Sequence, residues 1–510
     1  MPNTSNKRIA KNTLLLYIRM LFLMAVSLYT SRVVLDTLGI EDFGIYNVVG
    51  GFVSMFSFLN SAMASTTQRY LNFELGKGNV ERLRMVFSTS INIHAAISII
   101  ILLLAETVGI WFLYTYMTIP EARFSAAMWT YQMVILSTVV MVMSVPYNAA
   151  IIAHEKMGAF AYISVMEVIL KLAIVYVLLV FDFDKLKLYA VLMLAVQILV
   201  QIIYTAYCNR HFEETKYHRV WNGKLFRDMT GFAGWNLFGN IAAVAFTQGL
   251  NVLLNLFFTP AVNAARGIAV QVQNALRGFC FNFQTALNPQ IVKSYAANEL
   301  EAMHSLIYRS TKFSFFLLLF ISLPVLMQTE TILAWWLKIV PEHTAMFVRL
   351  TLVASFIEVI GNPLITGAMA NGRIKVYQMV VGGLLFMILP LSYLSLRLGF
   401  SPESVFVVQI FMMVISHIAR VYMVRPMINL SVKAYLHRAI FPLFIVSAVS
   451  IILPFIVNGY TEGSIIGFVC VCLACFLSVG TSSYWLGLDS GERAFVRTQI
   501  TKMLRKARGV

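Results

Sequence analysis

VPYNAAIIAHEKMGAF at residues 145–160 returns 217 positions later as NPLITGAMANGRIKVY at residues 362–377. Laid over each other without a gap, the two stretches match Pro146 to Pro363, Ala153 to Ala370, His154 to Asn371, Lys156 to Arg373 and Phe160 to Tyr377. Each begins with a proline inside an apolar run and ends in a basic turn. A second echo matches Gln68 to Gln290, in STTQRYLNFELGKGNVERLRMVF and ALNPQIVKSYAANELEAMHSLIY. Two echoes at nearly the same offset imply a duplicated unit.

What kind of unit follows from composition. The chain has 510 residues, of which 59% are hydrophobic and 12% charged, with mean hydropathy +0.76. Soluble domains carry about 25% charged residues, so this chain cannot cover a globule with polar surface and lipid must be its solvent. Residues 13–35 alone span the ~20 residues that a hydrocarbon core requires, and they are too long for a signal peptide and lack a small-residue cleavage site. Apolar runs punctuated by charge predict an all-α integral membrane protein of fourteen helices. The predicted limits are 13–35, 44–68, 86–113, 126–150, 158–181, 188–209, 229–257, 262–288, 310–328, 346–370, 376–396, 404–424, 436–457 and 464–487.

Basic residues give the sidedness. Of 39 Lys and Arg, 28 fall in the termini and even-numbered loops, six in the odd-numbered loops and five within spans. Acidic residues divide evenly, so the asymmetry is that of the positive-inside rule and predicts cytoplasmic termini. The net charge of +16 is then mostly a skirt facing anionic lipid, and no nucleic-acid partner is needed to explain it.

The predicted halves are two six-helix bundles, 1–210 and 227–430, joined by a cytoplasmic connector, HFEETKYHRVWNGKLF at 211–226. Residues 431–510 add two helices without a counterpart and a basic tail. Six is even, so both copies enter the membrane in the same orientation and are related by an axis along its normal, as in transporters built from parallel repeats. Such bundles enclose a central space and open it to alternate sides by tilting. Pro146 and Pro363, each lacking a backbone donor, are the expected hinges.

Ionisable groups inside hydrocarbon are costly and mark function. In span eight, Arg266, Gln273, Arg277 and Gln284 lie on one stripe, since eleven residues make about three turns. Span seven carries Asn236, Asn240, Thr247 and Asn251 along one seam. Arg19 and Thr30 share a face of span one, and Asn47, Ser54, Ser61 and Gln68 edge span two. Amides and hydroxyls also serve as helix glue, but guanidinium groups without an acid in the stripe are poor glue. A cationic, amide-lined cavity suits a phosphate bearing sugars: Arg offers forked donors to phosphate, and the amides serve sugar hydroxyls. Glu358 shares a face with Thr351, Ser355 and Asn362, where it either takes up H+ or Na+ for coupling or pairs with a cavity arginine. Glu167 and Lys171 stand at i,i+4, the spacing of an intrahelical ion pair. The five cysteines, including CVCLAC at 470–475, read as small apolar residues rather than metal ligands, and no cofactor is expected.

LDTLGIEDFGIYNVVGGF at 35–52, NPLITGAMANGRIK at 362–375, the fourteen-span count and the basic middle connector resemble the polysaccharide transporter family of the multidrug/oligosaccharidyl-lipid/polysaccharide exporter superfamily. That resemblance implies a bacterial inner-membrane flippase for undecaprenyl-pyrophosphate-linked oligosaccharide, serving O-antigen, capsule or exopolysaccharide assembly with glycosyltransferases and a polysaccharide polymerase as functional partners. Related lipid II flippases hold pyrophosphate with arginines of the first and eighth spans, the spans that carry Arg19, Arg266 and Arg277 here. The sparser cavity charge argues against lipid II itself. Two other classes compete. A multidrug and toxin extrusion antiporter for organic cations would want an acidic pocket, against five intramembrane basic groups and three acids. A membrane glycan polymerase or ligase would want a large external loop and a catalytic constellation, and none is evident in the sequence.

Overall fold

A computed structural model of the chain describes residues 12–26, 29–30, 33–34, 37–39, 42, 45–46, 57–116, 120–181, 183–219, 221–258, 260–337, 340–460, 465–494 and 497. Among the described residues all regular structure is helical, the solution that satisfies backbone groups within one segment where water is absent. The principal helices are α1 (Asn12–Val26), α2 (Ser57–Lys77), α3 (Val80–Leu104), α4 (Glu121–Ala153), α5 (Met157–Val180), α6 (Lys185–His211), α7 (Gly223–Phe257), α8 (Pro260–Ala296), α9 (Leu300–Met327) and α10 (Thr344–Asn371). They continue with α11 (Lys375–Arg397), α12 (Ser404–Ile428), α13 (Val432–Tyr460) and α14 (Ile465–Gly487).

Eleven of these, α3–α7 and α9–α14, are long and apolar enough to cross a membrane, so the chain is a multi-pass membrane protein. The other three account for the difference from the predicted fourteen. The first two spans are only partly described, as α1 and α2, and Asn47 and Ser54 of the expected polar edge lie outside the described residues. The eighth is a continuous helix of 37 residues whose arginines and amides keep it below the apolarity of its neighbours.

The helix ends carry conventional signals. Asn79 caps α3 by accepting from Arg82 N at 3.0 Å, and Asp184 caps α6 by accepting from Leu186 N and Lys187 N. Partial burial raises the Asp184 carboxyl, but its bonds to Arg123 outweigh this and hold it below the ordinary carboxylate range. Arg123 also binds Asp42 at 2.5 Å, tying the start of α4 both to Asp42 and to the start of α6. Pro146 and Pro363 both lie inside continuous helices at matched places, but so do Pro289, Pro324, Pro426 and Pro454. Proline inside a helix is therefore not special to the expected hinge pair.

Contacts divide the chain into two units that do not follow the sequence halves. The first comprises Met1–Ile241, Thr285–Glu299 and Met369–Met379. Its core joins α2–α6 through Leu71, Phe87, Ile151, Val175 and Val200. It thus takes the end of α8 and the α10–α11 turn from the second half of the sequence. The second unit comprises Ala242–Gln284, Leu300–Ala368 and Val380–Val510, with one core around Leu250, Ala269, Leu352 and Phe406 and another that packs α13 and α14 on α9 through Leu319, Leu443, Val471 and Val479.

The added helices are also pinned electrostatically. Lys312 of α9 donates to Glu492, just beyond α14, at 2.6 Å, and both side chains are nearly inaccessible. Removing one partner of such a pair leaves a buried charge uncompensated, so Glu492→Gln should destabilise the protein by about 3–5 kcal/mol. Thermal unfolding in detergent measures this. Adding Lys312→Met should restore most of the loss, and an unaffected single variant would refute the pinning.

Candidate functional site

The turns that end the two echoed stretches both belong to the first unit. In the overlay Glu155 falls on Gly372, and both adopt the left-handed conformation that ends a helix, with φ of 57° and 85°. Each turn is gripped by a helix from the other half of the sequence, the first by α8 and the second by α2. Glu155 of the α4 turn, its side chain 1% exposed, accepts from Lys293 of α8 at 2.9 Å and from Gln290 at 3.0 Å. Arg69 of α2 donates to the Met369 and Ala370 carbonyls that end α10, at 2.9 and 3.0 Å. A cation there complements carbonyls left unpaired at a helix C-terminus. The Arg69 guanidinium also lies over the rings of Phe73 and Phe232, and a Cβ on Gly372 would run into it. Around the two grips, Asn371 donates to Tyr295 at 2.8 Å, and Asn12 donates to the Glu155 carbonyl at 3.2 Å. His154, the counterpart of Asn371, binds Glu214 of the connector and stacks on Phe212.

Sequence reasoning marked these turns but not the residues that clasp them. The available signal was position: Glu155 lies within the first echo, and Gln68 beside Arg69 matches Gln290.

In the second unit, two polar faces read separately from the sequence meet rung by rung. Gln273 donates to Ser355 Oγ at 2.8 Å and to the Thr351 carbonyl at 3.2 Å. Arg277 pairs with Glu358. Gln284 donates to the Val359 carbonyl and accepts from Asn362, both at 3.0 Å. The α8 stripe thus lies against the face of α10 that ends at Pro363. Of the two readings of Glu358, pairing with an arginine is the geometry found, so Arg277 meets an acid from outside its own stripe. Its side chain remains 35% exposed and that of Glu358 28%, so this rung is reachable, whereas Gln273 and Gln284 are buried and spend their amides on α10.

Arg266 differs. It is 4% exposed, donates to Asn251 Oδ1 and to the Thr247 carbonyl of α7, and leaves Nε without a partner. No carboxylate forms an ion pair with it among the described residues. Asn251 is held in turn by Gln248 at 3.0 Å. The arrangement is a full cation buried against neutral acceptors, a costly group to hold inside a membrane protein.

The remaining expected residues belong to the first unit. Asn236 is buried and donates to the Ala62 carbonyl of α2 at 3.2 Å, which makes it a helix–helix contact. Asn240 is half-buried on the next turn. Arg19 of α1 stacks over Phe160 at 4.4 Å and interacts with Glu167 of α5, which is itself paired with Lys171 at 2.6 Å, as the i,i+4 spacing predicts.

No protein-family model and no curated protein matches this sequence. Solved structures do. A structure described as the outward-facing conformation of a multidrug resistance MATE family transporter of the MOP superfamily matches with TM-score 0.70 at 13% identity, over 83% of this chain and 96% of its own. A Vibrio cholerae MATE transporter matches with TM-score 0.68 at 15% identity, over 84% and 98%. A MOP superfamily transporter from Pyrococcus furiosus, described as having a binding pocket of reverse polarity that suggests a different function, matches with TM-score 0.65 at 13% identity, over 84% and 96%. The likeness is one of fold: this chain is built like the MATE transporters of the MOP superfamily.

Proposed function

We propose that the protein is a MOP-superfamily transporter that moves an anionic, lipid-linked oligosaccharide across the bacterial inner membrane by alternating access, in the service of surface polysaccharide assembly. The observation that carries this reading is Arg266, a buried guanidinium with neutral partners and no carboxylate bound to it among the described residues. A phosphate arriving there would gain charge-assisted bonds at a site already desolvated. Arg277 offers a second, exposed cation, and a phosphate that claims it frees Glu358 to take up H+ or Na+. Gly367 and Gly361 leave little room on α10 beside neighbouring side chains, so rearrangement is expected at the turns instead. The clasp of Arg69 and Glu155 would close the cytoplasmic end, and its loss would open that end.

The second reading is a multidrug antiporter, favoured by the names of the solved structures that share the fold. Purified protein in liposomes separates the two. Transfer of a fluorescent undecaprenyl-pyrophosphate oligosaccharide to the opposite leaflet, with no ion-driven efflux of an organic cation such as ethidium, is the expected result. Efflux without lipid transfer would give the function to the second reading.

A further inference from the structure

Pro363 lies inside α10 and has no backbone N–H, so the Val359 carbonyl, four residues earlier, loses its usual helical partner. Such a carbonyl is costly in a membrane interior, and proline is tolerated there where neighbouring groups supply the missing bond. Gln284 of α8 supplies it. Its Nε2 donates to the Val359 carbonyl at 3.0 Å and its Oε1 accepts from Asn362 at 3.0 Å, so one buried amide brackets the turn before the proline. Tyr435 of α13, fully buried, donates to the next carbonyl, that of Ile360, at 3.4 Å.

Glycines on both sides of the proline let other helices close in. A Cβ on Gly361 would run into Arg420 of α12, and one on Gly367 would press on Ile307 of α9 and Ile428 of α12, each at 3.2 Å. Four helices thus hold the turns around Pro363. The proline of the other echoed stretch is held more loosely: Gln201 of α6 donates to the Met143 carbonyl, three residues before Pro146, at 3.4 Å.

The helix so held joins two working parts. α10 runs unbroken from Thr344 to Asn371 and passes from the second unit into the first at Met369. Before the proline it carries Glu358, which meets Arg277. After it come the Met369 and Ala370 carbonyls that Arg69 grips. Glu358 and Met369 are separated by about 16 Å of helix, and a flexible kink between them would absorb any movement of the first before it reached the second. We propose that Gln284 and Tyr435 splint α10 across Pro363, making it a rigid lever that carries movement of the Arg277–Glu358 rung to the Arg69 clasp. Gln284 is then a positioning residue rather than a cargo ligand, and Pro363 is a locked bend rather than the hinge that the sequence suggests. The roles of rung and clasp rest on the transport reading above.

Glu358→Gln releases the rung without any cargo, and cysteines at Ser65 and Met369, in a chain stripped of its native cysteines, report the clasp by disulfide yield. With the splint intact, Glu358→Gln should lower that yield about tenfold, the ratio for loss of a charge-assisted bond. In Gln284→Leu the same change should alter it by no more than about twofold, the scatter of independent sites. Pro363→Ala returns a backbone N–H to the Val359 carbonyl, so adding it to Gln284→Leu should restore the response, and Pro363→Ala alone should transfer lipid at the parental rate. A residue that merely stabilised the fold would lower the unfolding temperature and leave the response in place. A response that survives Gln284→Leu, a parent chain indifferent to Glu358→Gln, or transport abolished by Pro363→Ala would overturn the proposal, the last by making Pro363 a true hinge. The cross-linking comparison uses no cargo, so it decides the lever even if the lipid-transfer assay rejects the cargo, and its failure leaves the cargo assignment standing.

Discussion

Replacing Gly76 with valine is expected to unfasten the clasp and stop transport while leaving the protein inserted and folded. Gly76 lies near the end of α2, where an added Cβ would sit 2.6 Å from the Lys293 carbonyl oxygen and 2.8 Å from Lys293 Cα of α8. Those are backbone atoms, which cannot swing aside as a flexible side chain would, so α2 and α8 must separate. Close approach of membrane helices depends on small residues at the contact, and forcing extra atoms into a packed interface costs about 1–3 kcal/mol. That corresponds to a shift of roughly 5–150-fold in the clasped-to-unclasped ratio. A cysteine pair introduced at Ser65 and Met369, whose side chains meet at 3.5 Å, reports the clasp by disulfide cross-linking in a background lacking the five native cysteines. Cross-linking should fall by that factor, with transport falling alongside it. Undiminished cross-linking and transport would show that this end is not a moving part.

Arg266→Ala is expected to abolish most transport without harming stability. The two effects separate a cargo residue from a structural one. If the guanidinium served as glue, its loss would strand Asn251 and the Thr247 carbonyl and destabilise the bundle. A buried cation without a carboxylate is instead itself a liability, and removing it relieves the desolvation penalty. The variant should therefore unfold at the same temperature as the parent or higher. Losing charge-assisted bonds to a phosphate costs about 1.5–3 kcal/mol, so lipid-linked oligosaccharide transfer should drop roughly 10–150-fold. Arg266→Lys should recover part of it, since an ammonium keeps the charge but not the fork. A destabilised variant with unchanged transfer per folded molecule would remove Arg266 from the cargo site. Arg277→Ala is the instructive comparison. It strands Glu358, so the double variant Arg277→Ala/Glu358→Gln is the one that isolates loss of the cation from loss of the pair.

The sequence by itself determined the solvent of this protein, the positions of the long helices among the described residues and the polar faces of α8 and α10, and it predicted a duplication. All of these follow from one-dimensional quantities: apolar length, the 3.6-residue period, and charge counted along the chain. Even the eighth span, less apolar than α7 and α9 on either side of it, announced its polar stripe by an eleven-residue spacing. Only the tertiary structure decided which groups those faces meet. Arg277 finds Glu358 across 81 residues of sequence, whereas Arg266 turns to α7 and meets no acid among the described residues. Asn236, on a seam read as cavity lining, instead reaches the backbone of α2, and Arg69, which nothing in its own helix distinguished, holds the end of α10. The reason is physical. Periodicity fixes the direction of a side chain about its own helix axis, but pairing depends on the height and rotation of one helix against another. Those are set by how dozens of apolar contacts interlock between helices distant in sequence, and no single helix carries that information.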